Sequence, residues 1–460
     1  MTYSPRLLHL LIPGIIAFFL CTASSDGVAN AKADHAIRAP PAAVSLPSRG
    51  SNRWVDAWAS MPQLTEPHNL PPAPFNVTGL VFANTTLRQT VRLTLGGDIF
   101  RIRISNAFGG SDLPITAVSV SLPANASSGV SGVQEGTSQR LSFSGEESVV
   151  VPIGALVVSD PVRVGGRGGL KPGTVLTVTI YSREGQTSNS VTSHPGSRTT
   201  SWFIHGDYLD AVDFPNEAAE GVEAKTGVAH WYWLSAVEAW TSKRNSALVI
   251  VGDSITDGRG STDNANNRWP DLLHQRFLSS RRSSLQSLSI INQAAGGNRI
   301  LNDGLGPNGL SRIDRDVLSH SAVTHAIIYI GVNDIGTAST DPAVQAALAN
   351  RLIWSFKQMA ERLHAHDIVV LGATITPFSG PGQGYSDPNR ETTRQTVNSW
   401  IRRNGGAFDA VLDFDRILAD PANPAQLREE YNTGDYLHPN VAGFQALADG
   451  IPLQVFDLRL

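Results

Sequence analysis

The sequence contains one cysteine, Cys21, which lies within an apolar run near the N-terminus. If that run is removed on export, the mature chain has no thiol for a disulfide, for thiolate catalysis or for a Cys-ligated metal. Charged residues are also sparse at 17% of the 460 residues, the formal net charge is −4, and no long basic run occurs. We therefore expect no nucleic-acid partner.

Long hydrophobic runs are almost absent as well. The clearest one spans residues 7–20, follows Arg6 and is interrupted by a proline and a glycine. A membrane anchor, the alternative interpretation, would need about 20 apolar residues. A shorter apolar run followed by small residues is instead typical of a secretory signal peptide. The pattern predicts cleavage after Ala23 or Ala31 and a secreted chain without stable membrane insertion.

Glycine and proline, by contrast, are abundant, with 42 and 27 residues, and they indicate many turns and an appreciable β content. The hydrophobic share of 41% is enough for a sizeable core. Changes in composition and periodicity predict four parts. These are a signal peptide and leader (1–31), a flexible Ala/Pro/Ser-rich segment (32–50), a β-rich N-terminal domain (51–243) and a second domain (244–460).

The predicted β-rich domain shows apolar residues at every second position. Residues 91–95 and 100–104 alternate in this way on either side of a Gly-Gly-Asp turn, which predicts a hairpin with one buried face. Several short strands separated by turns are typical of a β-sandwich or a jelly roll. Further strand-like stretches are 117–121, 148–153 and 175–181.

After residue 243 the pattern changes to continuous apolar runs separated by helical periodicity. Such runs belong to strands buried on both faces, and their alternation with helices predicts an α/β fold with a parallel sheet. The first run lacks a following G-x-G-x-x-G, so a Rossmann nucleotide site is not indicated. The predicted strands are 247–251, 289–291, 326–330, 368–371 and, more weakly, 410–412, and the predicted helices are 268–278, 342–363, 392–401 and 441–448.

Polar residues follow three of these strands, at the sheet edge where open α/β folds bind ligands. Ser254 comes directly after the first strand, where it is either a nucleophile on a sharp turn or an N-cap serine. A glycine pair, Gly296 and Gly297, either lets a backbone N–H approach a ligand closely or forms an ordinary strand-to-helix turn. Asn333 follows the third strand, where its side-chain amide can donate to an oxyanion or cap a helix.

A fourth polar segment near the C-terminus holds Asp435 and His438. A serine hydroxyl is a weak nucleophile until a base removes its proton, and imidazole suits that task at neutral pH. A carboxylate three residues away can hold the ring and stabilise its charged form. The alternative for this segment is a surface turn ahead of a helix.

Together these four blocks resemble the SGNH (GDSL-type) hydrolase family, whose blocks are named for Ser, Gly, Asn and His. The resemblance covers roughly residues 245–455 and implies a three-layer, flavodoxin-like domain with a parallel sheet. One departure is Ile255, where the family commonly has Leu. The matching residues are Ser254, Gly297, Asn333 and His438, with Asp435 as the acid of the triad.

The resemblance also implies a mechanism. His438 would deprotonate Ser254, and the oxyanion would be held by the N–H groups of Ser254 and Gly297 and by the side chain of Asn333. It implies no metal and no cofactor. Consistent with this, His364 and His366 near the end of a predicted helix are not expected to bind a metal ion.

The β-rich segment resembles the N-terminal domain of a secreted subgroup of bacterial and fungal members, some of them carbohydrate esterases. The leading expectation is therefore a secreted serine esterase acting on a small-molecule or polysaccharide ester, with short acyl (acetyl) groups on carbohydrates favoured. A lipase or acylhydrolase acting on lipid esters is the enzymatic alternative. A carbohydrate-binding or adhesion protein that uses its β domain is the alternative from another class.

Two sets of residues are further candidates. Arg299 and Asn298 lie next to the glycine pair and are candidate substrate contacts, as is Trp269, whose ring is suited to stacking on a sugar. All three could instead be structural. Glycosylation sequons begin at Asn76, Asn84 and Asn125.

Overall fold

The computed structural model describes residues 44, 46, 50–77, 79–166, 168–218, 224–404 and 406–459. The predicted signal peptide, with both of its cleavage sites, and all but three residues of segment 32–50 lie outside the described residues. None of the helices in the described part of the chain has the length and apolar character needed to cross a bilayer.

The first part of the chain consists of short strands and 3-10 turns. The alternation seen in the sequence corresponds to alternating burial in Ile99–Ser105, whereas Thr85–Arg92 and Val175–Ser182 are buried on both faces along almost their whole length. The strands are β1 (Asn52–Ala59), β2 (Gln63–Leu64), β3 (Asn76–Val77), β4 (Leu80–Val81), β5 (Thr85–Arg92), β6 (Ile99–Ser105), β7 (Leu113–Ile115), β8 (Ala117–Ser121), β9 (Gln139–Arg140), β10 (Val149–Val151), β11 (Leu156–Val158), β12 (Val162–Arg163), β13 (Val175–Ser182), β14 (Thr192–His194), β15 (Ser201–His205), β16 (Thr226–Val228), β17 (Trp231–Tyr232) and β18 (Leu234–Ser242).

Two antiparallel sheets make up the sandwich. One has the order β1-β18-β6-β11, with β12 also paired to β6, and the other has the order β16-β15-β5-β13-β8-β9. Apolar residues from both sheets, such as Ile102 and Val178, are fully buried in the core between them. The predicted all-β sandwich is therefore confirmed.

The predicted hairpin between residues 91–95 and 100–104 is wrong. β5 pairs with β13 and β15, whereas β6 pairs with β18, β11 and β12, so the two strands lie in different sheets. The chain changes sheets between Leu93, whose N–H donates to the Thr174 carbonyl, and Thr94, whose N–H donates to the Ala57 carbonyl. Alternation indicates a strand, but it does not specify the strand's partner.

The second part of the chain forms a five-stranded parallel sheet in the order β20-β19-β21-β22-β23. Strand β19, between β20 and β21, is an uninterrupted apolar run that is buried on both faces, as the sequence predicted. The α/β fold with a parallel sheet is thus confirmed. The strands are β19 (Ser246–Gly252), β20 (Leu288–Ala294), β21 (Val323–Tyr329), β22 (Val369–Ala373) and β23 (Ala410–Leu412).

Helices connect these strands and pack in two groups, one with α2 against α8 and the other with α5 against α6. Helix α6 begins four residues before its predicted start, because the Asp387 side chain caps the N–H groups of Asn389 and Arg390. The helices are α1 (Ser254–Asp257), α2 (Trp269–Ser279), α3 (Ser283–Gln286), α4 (Val332–Thr337), α5 (Pro342–His364), α6 (Pro388–Arg402), α7 (Phe414–Leu418) and α8 (Val441–Gly450), and a π-helical turn spans Asp314–Leu318.

The β-rich part covers the edge strand β20 of the parallel sheet. The Ser289 hydroxyl donates to the Asp56 carbonyl at 2.7 Å, and the Ile290 N–H donates to the Thr94 hydroxyl at 3.1 Å. An uncovered edge strand would leave such backbone groups open to pairing with another chain. The sandwich therefore covers one edge of the parallel sheet that carries the site described next.

Candidate active site

Strand β19 ends in a sharp turn that places Ser254 at the first position of helix α1. The N-cap is Asp253, whose side chain accepts from the Ile255 N–H at 3.1 Å, so Ser254 is not the capping residue. A Cβ at Gly252 would lie 2.6 Å from the Thr256 Cβ, which only glycine avoids. The Ser254 N–H belongs to the first helical turn, where N–H groups have no intrahelical partner.

Ser254, His438 and Asp435 form one hydrogen-bonded line. The Ser254 Oγ lies 2.8 Å from the His438 Nε2, and the His438 Nδ1 lies 2.6 Å from the Asp435 Oδ2. Because an ionised carboxylate only accepts hydrogen bonds, Nδ1 carries the ring proton and Nε2 accepts from the serine hydroxyl. The structure thus brings together three residues that are up to 184 positions apart in sequence.

The charges around the line favour a neutral imidazole beside an ionised carboxylate. Partial burial acts to raise the pKa of Asp435, but hydrogen bonds from the His438 ring and N–H outweigh it and hold this pKa well below its usual range. Burial lowers the pKa of His438; Asp435 opposes this, and the cations Arg259 and Arg198 add to it. Near neutral pH the ring can therefore accept a proton.

The two glycines of the second block have different roles. The Gly296 N–H donates to the Asp257 Oδ2 at 2.9 Å, whereas the Gly297 N–H has no hydrogen-bond partner in the described part of the chain. Gly297 adopts a φ of +70°, and a Cβ there would lie 2.3 Å from the Leu305 Cδ1. Of the pair, Gly297 is the residue whose N–H is available to a ligand.

Asn333 lies in helix α4 with its amide held from both ends. Its Nδ2 donates to the Asn298 carbonyl at 3.0 Å, and its Oδ1 accepts from the Tyr385 hydroxyl at 3.0 Å. These two contacts fix which end of the amide is the donor, and they leave the second Nδ2 hydrogen available. Asn333 is not used as the N-cap of α4, since that position is taken by Gly331.

Two buried carboxyl groups lie close to this site. Burial raises the pKa of Asp253 to about 7; the Ile255 N–H opposes this rise, and the nearby Asp334 and Asp257 add to it. Burial likewise raises the pKa of Asp334 to about 6. The shift at Asp253 reduces the negative charge next to the serine near neutral pH, which favours the development of an oxyanion there.

Comparison with known families matches residues 250–446 to the model of the GDSL-like Lipase/Acylhydrolase family. These residues are a GDSL-like lipase/acylhydrolase domain. All five residues of the serine, glycine, asparagine and histidine blocks lie within the matched range. The match to this family indicates that the GDSL-like domain is a hydrolase that acts on esters.

The chain is also similar to solved structures of other proteins. A lipase/acylhydrolase from Enterococcus faecalis is 19% identical, with 46% of this chain and 96% of that protein covered and a TM-score of 0.35. A GDSL-like lipase from Bacteroides thetaiotaomicron is 18% identical (47% and 90% covered, TM-score 0.34). A psychrotrophic esterase from Pseudoalteromonas is 16% identical (45% and 94% covered, TM-score 0.33). Comparison with curated protein sequences finds no significant match.

Trp269 is not a platform for a sugar ring, contrary to the sequence-based expectation. Its side chain is fully buried at the start of α2, where Nε1 donates to the Thr256 Oγ1 at 3.1 Å. The ring packs edge-on against Phe414 at a centroid distance of 5.3 Å. Trp269 therefore packs against helix α1 of the GDSL-like domain through Thr256, and its buried ring is not accessible to a substrate.

The expectation of a substrate contact at Asn298 is also wrong, because this side chain is fully buried. Its Nδ2 donates to the carbonyls of Leu305 and Pro307, and its Oδ1 accepts from Arg312. Asn298 thus shapes the loop after the glycine pair. Arg299 is half-buried and donates to the Asp303 carbonyl, and a substrate contact there stays a prediction.

The remaining sequence candidates lie away from the triad. His364 pairs with Asp409 at 3.0 Å, and no group of three or more His, Cys, Asp and Glu side chains among the described residues is arranged to hold a metal ion. Asn76 is half-buried, and Asn84 and Asn125 are exposed. Glycosylation of these three residues stays a prediction.

Sequence reasoning missed several residues that contact or influence the site of the GDSL-like domain. Arg259 follows helix α1, and its N–H donates to the Ser254 carbonyl at 2.9 Å; its nearness in sequence to the serine was a usable signal. Tyr385, Arg198 and His194 had no such signal, because tertiary folding alone brings them to the site.

Replacing Arg259 by glutamine is expected to raise the pKa of the acidic limb of the kcat/KM profile. The protonated form of His438 is inactive as a base, and removing a nearby cation stabilises that form. Activity is lost as the pH falls through the pKa of His438, so the variant should lose activity at a higher pH than the wild type. The measurement is kcat/KM for a neutral aryl ester between about pH 4 and pH 9. This range of about five pH units brackets the ordinary pKa of histidine.

Arg351, an exposed cation on helix α5, provides the matched control. R351Q also removes one surface charge but should leave the acidic limb where it is in the wild type. An equal displacement in R259Q and R351Q, or a displacement toward lower pH in R259Q, would show that Arg259 does not act on His438.

Proposed function

We propose that the protein is a secreted serine esterase that hydrolyses carboxylic esters through an acyl-enzyme. The observation that supports this most directly is the line of hydrogen bonds from Ser254 through His438 to Asp435. A nucleophile, a base within reach of it and a carboxylate that orients the base are the parts that acyl transfer requires.

In the proposed first half-reaction, His438 Nε2 takes the proton of Ser254 Oγ as that oxygen attacks the ester carbonyl carbon. The carbonyl oxygen becomes an oxyanion that accepts hydrogen bonds from the N–H groups of Ser254 and Gly297 and from Asn333 Nδ2. The tetrahedral intermediate then collapses, the C–O bond to the alcohol breaks, and His438 returns its proton to the departing alkoxide.

In the second half-reaction, water replaces the alcohol. His438 takes a proton from the water as the water oxygen attacks the acyl carbon, and the bond to Ser254 Oγ breaks with return of that proton to the serine. Asp435 stays ionised throughout, because its low pKa keeps it from accepting the ring proton. It stabilises the imidazolium that forms in each half-reaction.

We infer further that the acyl group is short and that the ester is carried by a carbohydrate. A long acyl chain needs an extended apolar surface beside the serine. The side chain nearest to a Cβ built on the oxyanion glycine is that of Leu305, which is 46% exposed. The export-type sequence at the N-terminus and the β-rich segment support an extracellular polymer as the source of the ester.

The test compares 4-nitrophenyl acetate with the octanoate ester and measures acetate release from acetylated xylan. We expect kcat/KM to be about 10-fold or more higher for the acetate, since added methylenes beyond a short acyl pocket lose binding. A preference for octanoate that strengthens above its solubility limit would instead support a lipase. Failure to hydrolyse either ester, with binding to glycan retained, would support a carbohydrate-binding protein.

A further inference from the structure

A buried histidine from the β-rich part lies against helix α1. His194, at the end of strand β14, is 4% exposed. Its Nδ1 lies 3.0 Å from the Met61 carbonyl, and its Nε2 lies 2.9 Å from the Asp257 Oδ1. Because a carbonyl only accepts, Nδ1 carries a proton, and a second proton is shared between Nε2 and the carboxyl group of Asp257.

Asp257 connects this histidine to the second block of the site. It is the last residue of helix α1, three positions after Ser254, and is 1% exposed. Its second oxygen, Oδ2, accepts from the Gly296 N–H at 2.9 Å. A Cβ at Gly196 would lie 1.8 Å from the same oxygen, so the loop after His194 fits closely around this carboxyl group.

The contact at Gly296 bears on the next peptide. The Asn298 N–H donates to the Ala295 carbonyl at 3.2 Å and closes a turn whose central peptide, Gly296–Gly297, carries the N–H available to an oxyanion. The Gly296 N–H belongs to the preceding peptide of this turn, and its bond to Asp257 anchors the turn against helix α1. Gly297 has a φ of +70°, and glycine visits many other conformations at low cost, so contacts that anchor the turn help to hold this one. Asp257 supplies one such contact through the Gly296 N–H, and His194 holds Asp257.

We propose that His194 is a positioning residue for ester hydrolysis, which acts through Asp257 to keep the Gly297 N–H directed at the oxyanion. This inference rests on the proposed serine mechanism. It gives the β-rich part a role in catalysis, since that part supplies both His194 and the carbonyl of Met61 that orients the ring.

A purely structural role is the competing explanation, because the ring of His194 also stacks on Trp231 at a centroid distance of 5.7 Å. A structural role would lower stability and leave kcat of the folded enzyme unchanged. A positioning role instead lowers kcat with little change in KM, because the oxyanion contact strengthens only in the transition state.

The experiment measures kcat and KM for 4-nitrophenyl acetate, together with the Kd of phenylboronic acid, whose serine adduct resembles the tetrahedral intermediate. For H194A we expect kcat to fall by about 10- to 100-fold, less than the roughly 10²–10³-fold cost of deleting an oxyanion donor. KM should stay within about threefold, and the affinity for the boronic acid should fall in proportion to kcat/KM.

His274 provides the matched control, since it is 1% exposed and its Nε2 contacts the Thr94 carbonyl at 2.7 Å, away from the glycine pair. H274A should be destabilised while keeping its kcat. D257N should retain most of the activity that D257A loses, because an amide can accept from Gly296 and donate to a neutral His194 ring. Adding H194A to D257A should lower kcat little further, because both residues act through the contact between Asp257 and the Gly296 N–H.

The outcomes separate two failures. Equal kcat values for the wild type and S254A would reject the proposed serine mechanism. If S254A is inactive but H194A keeps the kcat and boronic acid affinity of H274A, the mechanism stands and the role of His194 is overturned. A conservative variant, H194Q, that regains part of kcat supports positioning, whereas recovery of stability without recovery of kcat contradicts it.

Discussion

Replacing Ser254 by alanine is expected to lower kcat for 4-nitrophenyl acetate by about 10³- to 10⁶-fold, the range found when the nucleophile of a serine triad is removed. The variant lacks the Oγ that lies 2.8 Å from His438, so no acyl-enzyme can form. His438 and Asp435 remain in place but have no nucleophile to activate. Stability should change little, because only one oxygen atom is removed from a 6% exposed position.

The matched control is Ser261, which lies shortly after helix α1 and donates its hydroxyl to the Gly258 carbonyl at 2.6 Å. S261A should keep kcat near the wild-type value. A fluorophosphonate should label the wild type and S261A at Ser254 and should leave S254A unlabelled. Equal turnover by wild type and S254A would reject the serine mechanism outright.

Replacing Arg312 by methionine is expected to lower the free energy of unfolding by about 3–5 kcal/mol, as when one member of a buried ion pair is removed. Arg312 is 2% exposed, and its Nη1 lies 2.9 Å from the Asp316 Oδ2. The same guanidinium donates to the carbonyls of Gly252 and Gln293. Methionine fills much of the space but removes the charged donor that these buried acceptors share.

Arg315 provides the control, because it pairs with the same carboxylate from a side chain that is 30% exposed. R315M should cost only about 1 kcal/mol, since a partly exposed ion pair contributes little. Urea unfolding of both variants gives the comparison. If R312M and R315M are equally destabilised, burial of the Arg312 guanidinium is not what makes it important.

R312M should also lower kcat in the protein that remains folded. Arg312 holds the carbonyl of Gly252, two residues before the serine, and donates to the Asn298 Oδ1. The Asn298 carbonyl in turn accepts from Asn333. One buried cation therefore links the serine, glycine and asparagine blocks, and its loss should loosen all three.

Local patterns in the sequence were sufficient for the architecture. The continuous apolar run before Ser254 can be satisfied only by a strand buried on both faces, and such strands alternating with helices leave few topologies. The ends of parallel strands meet at one sheet edge, so Ser254, Gly297 and Asn333 could be placed together without knowing any contact between them. The confirmed sandwich followed from period-2 alternation in the same way.

Pairing and burial were decided elsewhere. Alternation in β5 and β6 was compatible with a hairpin, but each strand has its partners in a different sheet. Trp269 was a plausible exposed ring until helix α2 was placed against Phe414. The local pattern indicates that β5 and β6 are strands and that Trp269 is a large apolar side chain. It carries no information on which strand or which ring each of them will pack against.

The sequence by itself determined the fold class and the residues of the candidate triad. Both depend on short segments whose hydrophobic pattern and residue types can be interpreted without knowing any tertiary contact. The sequence pattern already favoured Gly297 over Gly296, but only the tertiary structure decided that the Gly296 N–H is taken by Asp257 and that His194 reaches Asp257 across 63 positions of chain. The physical reason is that hydrogen bonds between distant segments depend on how two sheets pack, and no local periodicity encodes that packing.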